Sequence, residues 1–322
     1  MYYLMIMLKA AVLENFGEPF TIKRLEIRQK INEVLVNVKA SGICGRDLVV
    51  WKGGFRNLKP PLILGHEIFG ELNGSNVGVF GAVTCGKCRY CLSGKENLCE
   101  SLTFMGEGRF GGYADMVSAP KENVFLLPDS NYEKYAAAAC PLATAIHAAK
   151  VAEAKSGESA IVTGAGGGVG IHSIQYFKKL GLKVYSVTSE NKKDVVSKYS
   201  DEVLTDKNFS EHVKDVDVVF EIVGANTINE SLKSLKKEGR LILIGNVEGK
   251  NLELTRPALS IMREHRIIGS AAFTKKEYLE AVDIIHKEEV KPYYKTYPLD
   301  EVNRAYMDIM EGKVIGRAVL LP

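Results

Sequence analysis

Val162-Thr163-Gly164-Ala165-Gly166-Gly167-Gly168-Val169-Gly170-Ile171-His172 is the stretch that decides the fold. Before it, Ser159-Ala160-Ile161-Val162 has the apolar density of a short buried strand. After it, Ile171, Ile174, Phe177 and Leu180 recur at helical spacing until Gly181 stops the helix. A second strand follows from Lys183 to Thr188. Strand, glycine turn, helix and strand within about thirty residues form the opening unit of a dinucleotide-binding sheet. The glycines let backbone pass close to a pyrophosphate, and the helix N-terminus offers unpaired N–H groups to its charge.

Outward from that unit, residues 159–289 alternate strands and helices. Strand candidates are 160–163, 184–188, 216–223, 240–245 (ending at Gly245) and 266–269. Helices fit after Gly167, after Ser189, at 228–237 and at 275–286. This spacing predicts a parallel, doubly wound α/β sheet. Residues 8–113 instead show short apolar runs broken by Gly, Pro and Asn, a β-rich pattern. The Ala-rich segment 133–153 predicts helices joining two domains. A helix near 299–310 and a strand at 316–321 close the chain. The expected division is 1–140 with 290–322 as one domain, and 141–289 as the dinucleotide-binding domain.

Composition narrows the function classes. A chain of 322 residues with 46% hydrophobic and 25% charged residues is ordinary for a soluble globular protein of two domains. A net charge of +3, evenly spread, argues against nucleic acid or membrane surfaces as partners. No apolar run approaches the ~20 residues of a membrane span. The apolar start, Met1 to Leu8, lacks a basic lead and a cleavage site, so no signal peptide is expected and Met5 or Met7 is an alternative start. A cytoplasmic location follows, and there clustered cysteines serve metal more often than disulfides.

Cys85-x2-Cys88-x2-Cys91-x7-Cys99 places four thiolates within fifteen residues of a Gly- and Lys-rich loop. Such a set wraps one tetrahedral zinc with no open position, a structural site; iron is the other metal it accepts. Cys44, His66, Glu67 and Cys140 are dispersed and unremarkable singly. Together they offer two thiolates, an imidazole and a carboxylate, a mixture suited to catalytic zinc.

Gly42-Ile43-Cys44-Gly45-Arg46-Asp47, Gly65-His66-Glu67-x2-Gly70, the four-cysteine lobe and Gly164-x2-Gly167-x2-Gly170 occur in that order. In this the chain resembles the medium-chain, zinc-containing alcohol dehydrogenases from Leu8 onward, while Gly166-Gly-Gly-Val-Gly-Ile-His172, Glu230-Ser-Leu-Lys-Ser-Leu235 and Ile244-Gly-Asn-Val247 resemble archaeal acryloyl-CoA reductases. The resemblance implies a GroES-like catalytic domain, with the final segment folded back into it, and a Rossmann domain. It implies two zinc ions per chain: a catalytic one held by Cys44, His66 and Cys140 with Glu67 able to exchange onto it, and a structural one in the lobe. Asp47 would orient His66. Gly164, Gly167, Gly168, Val169, Gly170 and Gly245 would line the cofactor, Thr144 would sit beside the nicotinamide, and Arg317 would meet a cofactor phosphate. A homodimer or homotetramer acting on a small molecule is implied as well.

Two features depart from that pattern. Arg46 stands where the family's alcohol dehydrogenases carry a Ser or Thr that relays a proton, and an always-charged guanidinium cannot shuttle it. Either Arg46 pairs with a carboxylate and water takes the proton, or the substrate is an enoyl thioester or quinone instead of an alcohol or carbonyl. A binding protein on the same fold is a further reading, which the complete ligand set disfavours. At the end of the second strand, Thr188, Ser189 and Lys192 favour NADP(H), while Glu190 keeps NAD(H) open.

Overall fold

The computed structural model describes residues 5–29, 31–246 and 249–322. Met1 to Leu4 of the apolar start, and Val247 and Glu248, lie outside the described residues. The chain divides into two compact units. One comprises Met1–Cys140, Thr274–Lys287 and Pro292–Pro322; the other comprises Pro141–Phe273 and Glu288–Lys291.

The second unit is built on six parallel strands in the order Glu202–Leu204, Lys183–Val187, Ser159–Thr163, Val216–Glu221, Leu235–Leu243 and Arg266–Gly269. The first of these in sequence, Ser159–Thr163, lies in the middle. The strand order therefore reverses between it and Val216–Glu221, the place where such sheets bind ligands. Ala160, Ile161, Val162, Val218, Val219 and Phe220 are wholly buried, as parallel strands covered on both faces require. The glycine turn is sterically enforced. Gly164 has φ +64°, and a Cβ on Gly170 would lie 2.3 Å from the Gly164 oxygen. Only glycine lets the helix Gly168–Lys179 start this close to the preceding strand.

Local expectations shift in two places. The helix expected over 228–237 ends at Ser234, and Leu235–Leu243 is extended instead. Glu238 at φ +60° and Gly239 make a bulge there, so Val216 pairs with Leu235 but Val218 pairs with Arg240. After Ser189 the helix is broken: a 3-10 turn at Glu190–Lys192, an α turn at Lys193–Val196 and a 3-10 turn at Ser197–Tyr199 follow one another.

The first unit carries a mostly antiparallel sheet in the order Tyr294–Pro298, Arg317–Leu321, Glu33–Ile43, Glu67–Leu72, Ser75–Val79 and Val124–Leu126, with Met116–Pro120 also paired to Glu33–Ile43. The helix Lys275–His286, expected with the second domain, groups with this unit. Its Tyr278 ring packs 5.5 Å from Phe80 and 5.8 Å from Phe125, and the Lys275 N–H donates to Glu96 Oε1 at 2.7 Å. Residues 133–153 form one helix, Tyr132–Val151, that contains Pro141.

Register gathers distant residues at one end of this sheet. Gly42 faces Glu67 across one pair of strands, and Ala318 faces Ile43 across another. Residues 42–44, Glu67 and Arg317 are thereby brought together from three parts of the chain. Gly42 is needed for a close approach: a Cβ there would lie 2.0 Å from Glu67 Oε2 and 2.3 Å from the Ala136 carbonyl oxygen. Ala136 lies one turn before Cys140 on the helix Tyr132–Val151, so the same contact seats that cysteine's helix on the strand.

Candidate metal centres and cofactor turn

Cys44, His66, Glu67 and Cys140 present one sulfur, nitrogen or oxygen atom each within 4.8 Å of one another. Cys140 Sγ lies 3.9 Å from His66 Nε2, while His66 Nδ1 faces away, 3.4 Å from Asp47 Oδ1. That is within ion-pair reach but not aligned as a hydrogen bond. Asp47 is itself fixed: its Oδ2 accepts the Cys44 N–H at 2.8 Å and the Tyr113 hydroxyl at 3.0 Å. Nε2 is thus free to face the sulfurs, with a carboxylate behind the ring, the arrangement metal-binding histidines use.

The electrostatics fit a cation. The Cys44 thiol is held well below its ordinary pKa, first by its hydrogen bond with Cys140, and Cys140 is pushed up by the same contact and by burial. Two thiols this close resist ionising together, a conflict that a bound dication would remove. Burial would lower His66, but Asp47 and Cys44 outweigh it and hold the imidazole well above its usual value. Burial raises the Glu67 carboxyl to about 8, against the opposing pull of Arg317. Glu67 Oε1 accepts from Arg317 Nη2 at 2.8 Å, and Glu67 Oε2 is buried with no hydrogen-bond partner among the described residues.

Cys85, Cys88, Cys91 and Cys99 form the second cluster, again within 4.8 Å. Here backbone amides do the holding. The Cys85 N–H donates to Cys99 Sγ at 3.3 Å, Cys88 N–H to Cys85 Sγ at 3.4 Å and Ser101 N–H to Cys99 Sγ at 3.4 Å. The N–H groups of Cys91 and Glu100 lower the Cys88 thiol to about 6. Gly86 and Gly94, at φ +68° and +71°, allow the loop to fold its amides onto the sulfurs. Among the described residues the six cysteines form no disulfide.

In the second unit Thr188 and Lys192 lie beside the glycine turn. A Cβ on Gly166 would lie 2.6 Å from Lys192 Cδ and 2.8 Å from Thr188 Oγ1, so both side chains lean over the turn. Lys192 is half-buried and its ammonium is lowered by that desolvation. Ser189 donates to Asn191 Oδ1 at 2.6 Å. Glu190 is largely exposed and pairs with Lys193. Glu221, at the end of the neighbouring strand, is wholly buried and accepts from Thr163, Thr227, Ser231 and the Gly224 N–H, which fixes the sheet's C-terminal edge.

Known proteins resemble this chain along most of its length. Residues 30–129 match the alcohol dehydrogenase GroES-like domain, and residues 168–287 match the zinc-binding dehydrogenase family. The chain is 30% identical to acryloyl-coenzyme A reductase of Metallosphaera sedula, over 97% of this chain and 99% of that one. It is 33% identical to an alcohol dehydrogenase of Geobacillus stearothermophilus, over 97% and 99%. The structure of acetophenone reductase from Geotrichum candidum in complex with NAD superposes with a TM-score of 0.90 at 28% identity, covering 98% of this chain and 97% of that chain. The chain belongs to the medium-chain zinc-containing alcohol dehydrogenase family. As a family member it is an oxidoreductase of the kind that uses zinc and a nicotinamide cofactor, with a GroES-like and a Rossmann-type part. Among the described residues no helix is long and apolar enough to cross a membrane.

Against the family pattern, Arg317 and Arg46 both pair with carboxylates. Arg317, expected at a cofactor phosphate, is buried and paired with Glu67. The antiparallel register of Arg317–Leu321 on Glu33–Ile43 puts it beside Cys44. Arg46 is forked by Glu107: Nε and Nη2 donate to the two carboxylate oxygens, the second at 2.9 Å. Its guanidinium lies over the Phe55 and Phe104 rings, 4.5 and 4.6 Å from their centroids. This is the carboxylate pairing allowed for above. Trp51 packs on Tyr306 and donates to the Glu18 oxygen, a support at the core's edge. His172 is buried with Nδ1 2.6 Å from the Gly168 oxygen, and His286 and His212 pair with Asp129 and Asp206. Thr144 lies one turn past Cys140 on the same helix. Gly245 approaches its own sheet, since a Cβ would lie 2.5 Å from the Ile222 oxygen. Glu107, Tyr113 and Tyr306 were not singled out in the sequence; no motif spacing marks them.

Proposed function

We propose that the protein is an NADPH-dependent zinc oxidoreductase exchanging hydride between nicotinamide and a small carbonyl compound or its alcohol. The observation that carries this reading is the complete set of Cys44, His66 and Cys140, with Glu67 beside them and Asp47 behind His66. These residues would hold the catalytic zinc, and Cys85, Cys88, Cys91 and Cys99 a structural one. Zinc supplies a Lewis acid for the substrate oxygen, and nicotinamide supplies or takes the hydride. Asp47 keeps His66 in the tautomer that turns Nε2 inward. Arg317 keeps a charge-compensated Glu67 within reach of the same ligand set. Because Arg46 is occupied by Glu107 and cannot release a proton, the substrate proton exchanges with solvent water.

Lys192 and Thr188 over Gly166 support NADP(H) over NAD(H), since a half-desolvated ammonium gains from a 2′-phosphate. Gly164, Gly167, Gly168, Val169 and Gly170 would carry the pyrophosphate, with Ser189 and Gly245 at the rim and Thr144 beside the nicotinamide. The outer strand Arg266–Gly269 exposes its edge, and Ile261, Met262 and Ile267 near it are exposed apolar side chains. We assign that edge to subunit pairing in a homodimer or homotetramer. Six cysteines without a disulfide suit the reducing cytoplasm.

Arg46 favours one second reading, reduction of an enoyl thioester, because the hydroxyl relay of an alcohol dehydrogenase is absent. NADPH consumption with short aldehydes and ketones, beside acryloyl- and crotonyl-CoA, tests both. Carbonyl turnover lost on zinc removal is expected; turnover of thioesters alone overturns the leading reading.

A further inference from the structure

Arg46 and Glu107 together are a donor without net charge. The guanidinium sits two residues past Cys44, at the start of the helix Gly45–Trp51. It stacks on Phe104, whose ring lies 5.8 Å from that of His66. Phe55 covers it at 4.5 Å. Two rings and a bidentate carboxylate fix its plane. Glu107 engages Nε and Nη2, so Nη1 stays outside that fork. About a third of the Arg46 side chain is exposed, against 10% for Glu107.

We propose that this pair is a specificity element beside the ligand set. It donates a hydrogen bond to a neutral carbonyl oxygen and disfavours substrates that carry a free carboxylate next to the reacting carbon. An unpaired arginine would do the reverse, because a carboxylate is its best partner. Here the incoming anion meets the Glu107 charge within a few ångströms of the guanidinium, and attraction and repulsion offset each other. A neutral aldehyde, ketone or thioester oxygen needs only the N–H. The inference rests on reading Cys44, His66 and Cys140 as the metal centre, and it deepens that reading by naming the substrate class.

The test uses zinc-loaded protein with NADPH and two isosteric probes, isobutyramide and isobutyrate, with dissociation constants measured by calorimetry. Wild-type protein is expected to prefer the amide. Glu107→Gln keeps the size of the side chain and removes its charge. It should tighten isobutyrate about tenfold while moving the amide by no more than about twofold. Glu107→Ala is a second route to the same change. Arg46→Met should weaken the amide, and combined with Glu107→Gln it should abolish the gain for isobutyrate. An unchanged isobutyrate constant in both Glu107 variants overturns the proposal. So does a gain that survives loss of Arg46, or a wild-type protein that binds neither probe. Failure of the metal reading is separate and visible beforehand, as zinc analysis that finds metal only in the Cys85–Cys99 lobe.

Discussion

The two ligand clusters differ in how the chain builds them. Cys85, Cys88, Cys91 and Cys99 come from one loop and are held by their own neighbours' amides. Cys44, His66, Glu67 and Cys140 come from separate strands and a helix, and side chains hold them: Asp47, Tyr113 and Arg317. A loop that satisfies its metal locally adds stability and leaves no vacancy for substrate. A cluster assembled across a sheet is buried and charge-strained, and chemistry is possible there because its members are not saturated by backbone.

Breaking each cluster separately should therefore give opposite results. His66→Ala is expected to lower turnover by about 10³-fold, the equivalent of several kcal/mol of lost Lewis-acid stabilisation. The lobe's zinc should remain, which metal analysis checks. Cys91→Ser should do the converse. It should lower the melting temperature by roughly 5 °C or more. Turnover per chain still folded should persist. If Cys91→Ser silences the enzyme at temperatures where it is folded, the division of labour between the clusters is wrong.

Smaller changes sharpen the contrast. Asp47→Asn, touching His66 without displacing it, is expected to weaken metal binding at the dispersed cluster about 10–100-fold in chelator competition. Lobe affinity should not move. Asp129, in neither cluster, serves as a reference carboxylate. Burial would raise it, but the Asn131 N–H, Lys134, Tyr135 and His286 outweigh that and hold it well below the usual range. A depressed folded pKa means stability that is present above the unfolded value near 4 and is lost as pH falls through the folded one. Asp129→Asn should cost about 1 kcal/mol at pH 7 and progressively less below pH 4, by denaturant titration.

What could be read from the sequence follows the same line. The glycine turn, its flanking strand and helix, and the four-cysteine loop are local, so spacing alone placed them. The second half of the Leu235–Leu243 strand was legible, but its first residues read as helix because Leu232 and Leu235 continue a helical spacing up to the bulge at Glu238 and Gly239. The helix Lys275–His286 is amphipathic in any domain, and its allegiance depends on Phe80 and Phe125, far away in sequence. Arg317 and Arg46 are the instructive cases. Each charge was recognised, but its partner depends on strand register or on a loop sixty-one residues distant. Pairing across a sheet leaves no periodic trace.

The register that brings Arg317 to Glu67 also sets a timetable. A ribosome delivers Cys44, His66, Glu67 and Cys140 long before Arg317 emerges. Until then Glu67 has no counter-charge to accompany it into the interior, and burying it alone is costly. The strand Arg317–Leu321 is also missing from the sheet beside Glu33–Ile43. The ligand set therefore gains its counter-charge and a flanking strand only when the C-terminal segment joins the sheet.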